Sequence, residues 1–134
     1  MADLSVTAAS VLPSTGTPIL KKTAAATMTA GQVLAVDADK NLILGDADGS
    51  ALAKVILGIS VNGGASGQPV NYVTEDPDFA PGFTCTSGVR YYVSATPGGI
   101  CPTGDVATGM AVTLLGIGKA NGKLNLKIVA GGTL

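Results

Sequence analysis

Short runs of alternating apolar and polar residues recur along the chain, and glycine, proline, asparagine or aspartate separates one run from the next. Alternation with a period of two is typical of a strand with one buried face. It predicts strands at residues 32–36, 42–44, 55–61, 69–74, 91–94, 100–102, 110–117 and 124–129. With no amphipathic helix between them, these short strands predict an all-β fold, a compact sandwich or barrel.

The strand pattern occurs twice. Residues 27–39 and 84–96 share threonine, glycine, valine and alanine at matching positions, fifty-seven residues apart. The Leu-Gly-Ile motifs that begin at Leu57 and Leu115 also match, with an offset of fifty-eight. Repeated segments in a constant order predict an internal duplication within a single β domain, residues 24–134.

The two copies cover about residues 27–74 and 84–130, and the domain is either jelly-roll-like, a partly open barrel or a pair of duplicated β units. Between the copies, residues 75–82 hold three of the nine acidic residues and two prolines, which predicts a long loop. Phe79 within this loop needs a partner surface, either inside a packed loop or at an interface. A further irregular segment is predicted at residues 103–109.

Residues 1–23 have no counterpart in the duplication. Pro13, Gly16 and Pro18 interrupt the segment, which predicts an edge strand or an extended N-terminal arm, with a floppy terminus as the other possibility. We favour an arm that docks on a neighbour, because the segment is too apolar for a solvated tail. Its apolar residues are Leu4, Val6, Val11, Leu12, Ile19 and Leu20.

The composition favours a protein that associates with other protein chains over one that acts through a charged surface. Hydrophobic residues make up 46% of the chain and charged residues 13%, but only 4% are aromatic, so each buried side chain contributes little area. We therefore expect part of the stability to come from association with copies of itself or with another protein. The net charge of −1 and the dispersed basic residues predict no nucleic-acid partner.

The sequence also indicates no membrane partner. No apolar run approaches the ~18 residues that cross a bilayer. The chain begins without a basic leader and carries Asp3, which does not predict a secretory signal. A cytoplasmic origin would keep Cys85 and Cys101 reduced, and Cys85, at the position of Met28 in the duplication, is predicted to be a core thiol.

The usual catalytic and metal-binding groups are missing from the sequence. There is no histidine, which removes the common general base and metal ligand, and no cofactor or metal site is expected. Asp37, Asp39 and Asn41 imitate the start of a calcium loop, but Leu42 stands where that loop needs glycine, so a hairpin turn is predicted. The glycine-lysine pairs near residue 120 lack the spacing of a phosphate-binding loop. We expect no enzymatic activity.

Tyr91 and Tyr92 are adjacent in a predicted strand and therefore point to opposite faces. One ring belongs to the core, and the other is a candidate contact residue. We take Tyr91 as the candidate, together with Phe79 and the six apolar residues of the N-terminal segment.

Several turn-and-strand phrases give the sequence a resemblance to a known family. They are residues 29–33, 57–59, 67–70, 92–100 and 112–117. Together they resemble the small capsid decoration, or cement, proteins of tailed bacteriophages. The resemblance extends over most of the chain, from about Ser5 onward.

The resemblance implies a β-rich virion structural protein without enzymatic activity. Such proteins bind the outer surface of the assembled capsid as homodimers or homotrimers and stabilise it by clamping subunits of the major capsid protein. The absence of cysteine chemistry and of targeting signals is consistent with assembly in the host cytoplasm. No single functional residue transfers, because the contacts of the family are surfaces.

A receptor- or glycan-binding module of a phage tail fibre or spike is the alternative. It would require an exposed aromatic cluster on which sugars stack, and the chain has only three tyrosines and two phenylalanines. Binding to empty capsids, as opposed to host-surface material, would distinguish the two functions.

Overall fold

The computed structural model of the chain describes residues 3–102 and 108–133 and is almost entirely β. The described residues form one short 3₁₀ turn, Ala8–Ser10, and eleven strands. The strands are β1 (Val11–Leu12), β2 (Leu20–Thr23), β3 (Val33–Val36), β4 (Leu42–Leu44), β5 (Ile56–Ser60), β6 (Pro69–Val73), β7 (Glu75–Pro81), β8 (Arg90–Val93), β9 (Ile100–Pro102), β10 (Ala111–Gly118) and β11 (Leu124–Thr133). The predicted all-β class is confirmed, and the predicted irregular segment 103–109 lies outside the described residues except for its last two.

The strands form two antiparallel sheets with the same internal order. The five-stranded sheet has the order β2-β6-β5-β3-β4. The six-stranded sheet has the order β1-β7-β11-β10-β8-β9. We call β2–β6 the first unit and β7–β11 the second unit: in both, the strands lie in the order first, fifth, fourth, second, third. β1 is an addition at the edge of the second unit.

The two units also share a β-bulge at the same place. The pairing of β5 with β3 skips Leu57, and the pairing of β10 with β8 skips Leu115. Glycine follows each bulged residue because another strand passes too close for a side chain. A Cβ atom on Gly58 would lie 2.3 Å from a carbonyl oxygen of β6, and one on Gly116 would lie 2.2 Å from a carbonyl oxygen of β11. The Leu-Gly-Ile motifs therefore mark a backbone requirement of the bulge.

The main core lies where one face of the first unit meets the second unit. Val33, Ile59 and Val73 of the first unit are fully buried in it. The second unit supplies most of the remaining side chains, which are Phe79, Cys85, Tyr91, Val93, Ile100, Met110, Leu115, Leu124 and Leu126. A smaller core covers the other face of the first unit and consists of Ala24, Met28, Leu34, Leu42, Val70 and Tyr72.

The prediction of a loop at residues 75–82 is wrong. Most of these residues form strand β7, which pairs with β1 on one side and with β11 on the other. Its prolines suggest a loop, but the strand contains a bulge where Pro77 and Asp78 lie opposite the single residue Asn125. A proline can occupy a bulge, since no ladder hydrogen bond is required of its nitrogen there. Phe79, which follows the bulge, is fully buried in the main core.

Charged side chains tie the β7 bulge to the turn between β10 and β11. Asp78 accepts hydrogen bonds from Asn121 Nδ2 and Lys119 Nζ, each at 2.9 Å, and Lys123 Nζ lies 3.5 Å away. The Asn121 hydrogen bond and then the Lys119 contact lower the pKa of Asp78 to about 2. Asp78, one of the acidic residues that suggest a loop, thus connects strand β7 to the turn between β10 and β11.

The N-terminal segment lies against its own chain. β1 pairs with β7 and β2 pairs with β6, so that the segment supplies one edge strand to each sheet. Upstream of β1, Leu4 N donates to the Ile100 carbonyl oxygen and Thr7 N donates to the Gly82 carbonyl oxygen, both at 2.9 Å. Of the two predicted forms, edge strand and extended arm, the folded chain has edge strands connected by extended backbone.

Candidate interaction surface

Three of the eight candidate contact residues lie in the main core, which corrects their assignment. Phe79 is 0% exposed, Tyr91 is 3% exposed and Val11 is 8% exposed. Leu4 and Val6 are half-buried and pack against the same core. All five side chains stabilise the folded chain, and the three in the core offer no surface to a partner.

The tyrosine pair divides between the faces in the order opposite to the prediction. Tyr91 points inward, where its ring packs against Phe83 at 5.4 Å between centroids and its hydroxyl accepts a hydrogen bond from Thr86 N at 2.9 Å. Tyr92 points to the other face and is half-buried. Alternation shows that the two rings diverge, but not which of them faces the core.

The other three candidates, Leu12, Ile19 and Leu20, are exposed by 64%, 44% and 43%. They belong to residues 11–23, which we call the strap. The strap runs antiparallel to residues 69–81, and its two strands keep one register, since Val11 and Leu12 pair with Pro81 and Ala80 and Leu20–Thr23 pair with residues 72 to 69. Its three exposed apolar side chains lie at the ends of the two short strands, on the margins of the two sheets.

A buried carboxylate holds the strap where it crosses from one sheet to the other. Pro13, Gly16 and Pro18 interrupt the ladder there, and Asp76 accepts hydrogen bonds from Ser14 N at 2.8 Å, from Ser14 Oγ, and from Asp78 N at 3.0 Å. Asp76 is 0% exposed. Burial alone would raise the pKa of this carboxyl, but the hydrogen bonds from Ser14 and Asp78 outweigh it and lower the pKa.

A second surface, which sequence reasoning missed, is the outer face of the six-stranded sheet. Val129 of β11, Leu114 of β10 and Tyr92 of β8 are partners in register and form an apolar row across three neighbouring strands. Ile117 lies on the same face and is 42% exposed, and Val129 is 49% exposed. The alternation of residues in β10 and β11 indicates which side chains share a face. The bulge at Leu115, however, shifts the alternation in β10 by one residue, so that Leu114 and Ile117 point to the same side.

Charges of both signs lie beside the apolar row. Lys127 pairs in register with Glu75, and both side chains are exposed. Arg90 pairs with Ile117 and is also exposed. We call Tyr92, Val112, Leu114, Ile117 and Val129 with these three charged residues the outer face.

The predicted hairpin at residues 37–41 is confirmed. Asp37 Oδ1 accepts hydrogen bonds from Asp39 N at 3.0 Å and Asn41 N at 2.9 Å, and Lys40 has a φ of 66°. The carboxylate that imitates a calcium ligand thus satisfies the backbone of its own turn. Within residues 3–102 and 108–133, no cluster of three or more cysteine, aspartate or glutamate side chains could hold a metal ion.

Both cysteines are buried, unbridged thiols, and burial raises the pKa of Cys85 to about 11. This agrees with the prediction of a core thiol at Cys85, which packs in the main core. In the described part of the chain, no helix has the length and apolar character needed to cross a bilayer.

The chain thus has two exposed apolar surfaces: the strap, which supplies an edge strand to each sheet, and the outer face of the six-stranded sheet. No model of a known protein family matches the chain, and no curated protein matches it in sequence.

Proposed function

We propose that this chain is a virion structural protein without enzymatic activity, which decorates the outer surface of a phage capsid. It binds subunits of the major capsid protein through the strap and associates with copies of itself. Its site of action is the outside of the virion, after assembly in the host cytoplasm. The sequence resemblance to capsid decoration proteins suggests the class, and the exposed apolar residues of the strap support the binding mode.

The strap supports this role because it offers apolar area on a fixed backbone. Leu12, Ile19 and Leu20 are exposed although they are large and apolar, and the ladders of β1 and β2 hold their backbone in place. A partner that covers them pays little ordering entropy, so that more of the burial energy becomes affinity. A repeated capsid lattice would then add many weak contacts through effective concentration.

The aromatic residues favour a capsid partner over a glycan. Sugar-binding sites stack pyranose rings on exposed aromatic side chains, but Tyr72, Phe79 and Tyr91 are buried. Phe83 and Tyr92 are only half-exposed. Within the described residues, the surface therefore offers no aromatic platform of the kind that the tail-fibre alternative requires.

Co-sedimentation with purified empty heads tests the proposal. We expect the wild-type chain to pellet with the heads in saturable amounts. Replacing Leu12, Ile19 and Leu20 together by aspartate should abolish co-sedimentation, because each substitution places a charge in the apolar contact. The matched control is Val55→Asp, at a side chain that is 67% exposed and lies outside the strap.

Both variants must show the wild-type circular dichroism spectrum before binding is compared. Deleting residues 1–20 is not a suitable test, since it would also remove Leu4, Val6 and Val11 from the core. A wild-type chain that stays in the supernatant with heads but binds host-surface material would refute the proposal and favour the fibre alternative. Equal binding by the triple variant and the control would refute the role of the strap.

A further inference from the structure

We infer that the outer face of the six-stranded sheet is the surface through which two copies of this chain associate, packed face to face about a two-fold axis. The inference rests on the self-association that forms part of the proposed function and assigns it a surface. Ile19 and Leu20 of the strap, at the edge of the five-stranded sheet, remain available for the capsid on this assignment.

Equivalent positions in the two units differ in how far neighbouring strands cover them. Ile59 pairs with Val33 of β3, and Ile117 pairs with Arg90 of β8 at the corresponding place. Ile59 is 0% exposed because the second unit covers this face of the first, whereas Ile117 is 42% exposed. The sheet face that contains Ile59 in the first unit is therefore covered by the second unit. The equivalent face of the second unit, which contains Ile117, is uncovered.

The apolar residues of the outer face form a continuous row across neighbouring strands. Val129, Leu114 and Tyr92 are aligned by strand pairing, and Ile117 extends the surface along β10. Their backbones belong to the central strands of the six-stranded sheet, so the row needs no rearrangement to bind. A contiguous apolar patch on a rigid sheet is typical of an interaction site.

The charges at the margin of the outer face favour a second copy of this chain as the partner. Glu75 and Lys127 lie side by side at the margin, so the outer face carries both signs of charge around its apolar row. A two-fold rotation can place each carboxylate near an ammonium group of the other copy, which makes such a face complementary to itself. A strongly acidic or basic partner would instead require a margin of one sign.

The size of the face limits the strength of the contact. Four strands spaced about 4.8 Å apart and some six residues long give a face of roughly 20 by 20 Å. This is small beside the ~800 Å² of accessible surface that each partner buries in a standard interface. We therefore expect a weak dimer that depends on protein concentration.

Sedimentation velocity of the purified full chain, measured over a range of concentrations without capsids, tests the inference. We expect a reversible monomer–dimer equilibrium for the wild type. Ile117→Lys and Val129→Lys should each lower the association constant about tenfold or more, because they bring a charge into the centre of the contact. Val55→Lys, at an apolar side chain that is 67% exposed and lies outside the face, should leave the constant unchanged.

Exchange of charges provides a second measurement. Glu75→Lys and Lys127→Glu should each weaken self-association, and an equimolar mixture of the two variants should associate more tightly than either alone. This complementation requires the two charges to meet across copies, so a pair that acts only within one chain would not produce it.

Three results would overturn the inference: a wild-type chain that is monomeric at every concentration, dimerisation that is unchanged in Ile117→Lys, or equal loss in Val55→Lys. If Ile117→Lys dimerises normally but no longer binds heads, the outer face docks the capsid instead. A wild-type dimer that depends on Ile117 but does not bind heads would leave the inference intact and refute the proposed function. The two failures are therefore distinguishable.

Discussion

The first and second units have the same strand order and the same glycine-linked bulge, yet their equivalent side chains meet different surroundings. Leu20 of β2 pairs with Tyr72 at the place where Phe79 of β7 pairs with Leu124. Leu20 is 43% exposed, whereas Phe79 is 0% exposed. A shared backbone plan therefore does not determine which positions become core. The neighbours determine it, since β1 and the first unit cover the second unit at positions where the first unit has solvent.

The largest difference in stability between equivalent substitutions in the two units is expected at Phe79 and Leu20. Phe79→Ala should lower the free energy of unfolding by about 3–5 kcal/mol, because it leaves a cavity in the main core. Leu20→Ala, at the equivalent position of an edge strand, should change it by no more than ~0.5 kcal/mol. Urea unfolding of both variants measures the contrast. Similar losses would mean that the two units are equally buried in solution, contrary to the structure.

An equal effect in both units is expected at the bulges. Gly58→Ala and Gly116→Ala should each destabilise the chain by about 2–3 kcal/mol, since the new methyl group would meet a backbone carbonyl of the next strand. Thermal unfolding of the two variants provides the comparison. The control is Gly67→Ala, at a turn glycine with open space around it but a φ of 88°, which separates backbone strain from steric overlap. A harmless substitution at either bulge would show that the two bulges are not equivalent.

The smallest of these effects concerns the carboxylate that fixes the strap between the units. Asp76→Asn should cost about 2 kcal/mol at neutral pH, because a buried charged acceptor of three hydrogen bonds is lost. The pKa of Asp76 is lowered on folding, so its contribution is complete above the unfolded-state pKa of about 3.9 and disappears as the pH falls through the lower folded value.

Urea titrations at neutral and acidic pH measure this dependence. The difference between wild type and Asp76→Asn should narrow as the pH falls below the unfolded-state value. Asp39→Asn, at an exposed hairpin residue, serves as the control and should leave stability unchanged at neutral pH. A difference that persists undiminished at low pH would show that the carboxylate charge does not hold the strap.

Eight strands could be located from the sequence, because apolar and polar residues alternate along them and their turns carry glycine, asparagine or aspartate in the expected places. β7 could not, since Pro77 and the acidic residues beside it have the composition of a loop. Its strand geometry depends on a bulge opposite Asn125 and on Lys119, forty-one residues away. Sequence patterns within a short window contain neither contact.

The candidate surface was predictable only in part for a similar reason. Leu12, Ile19 and Leu20 are exposed, but nothing local distinguishes them from Val11, which the β1–β7 pairing places in the core. The inward orientation of Tyr91 depends on the phase set by the bulge in β10. Asp76 is also beyond the reach of local reasoning, because its partner Ser14 is sixty-two residues away in the sequence.

The pairing of the strap has a consequence for how the chain acquires its structure. Residues 11–23 are synthesised well before their partners, because β2 pairs with β6, the last strand of the first unit, and β1 pairs with β7, the first strand of the second unit. During synthesis Leu20 therefore remains unpaired until Tyr72 has been added, and Leu12 remains unpaired until Ala80 has been added. Closing such long loops is entropically costly and slows folding. We expect each half of the strap to dock only after its partner strand has formed, β2 after β6 and β1 after β7.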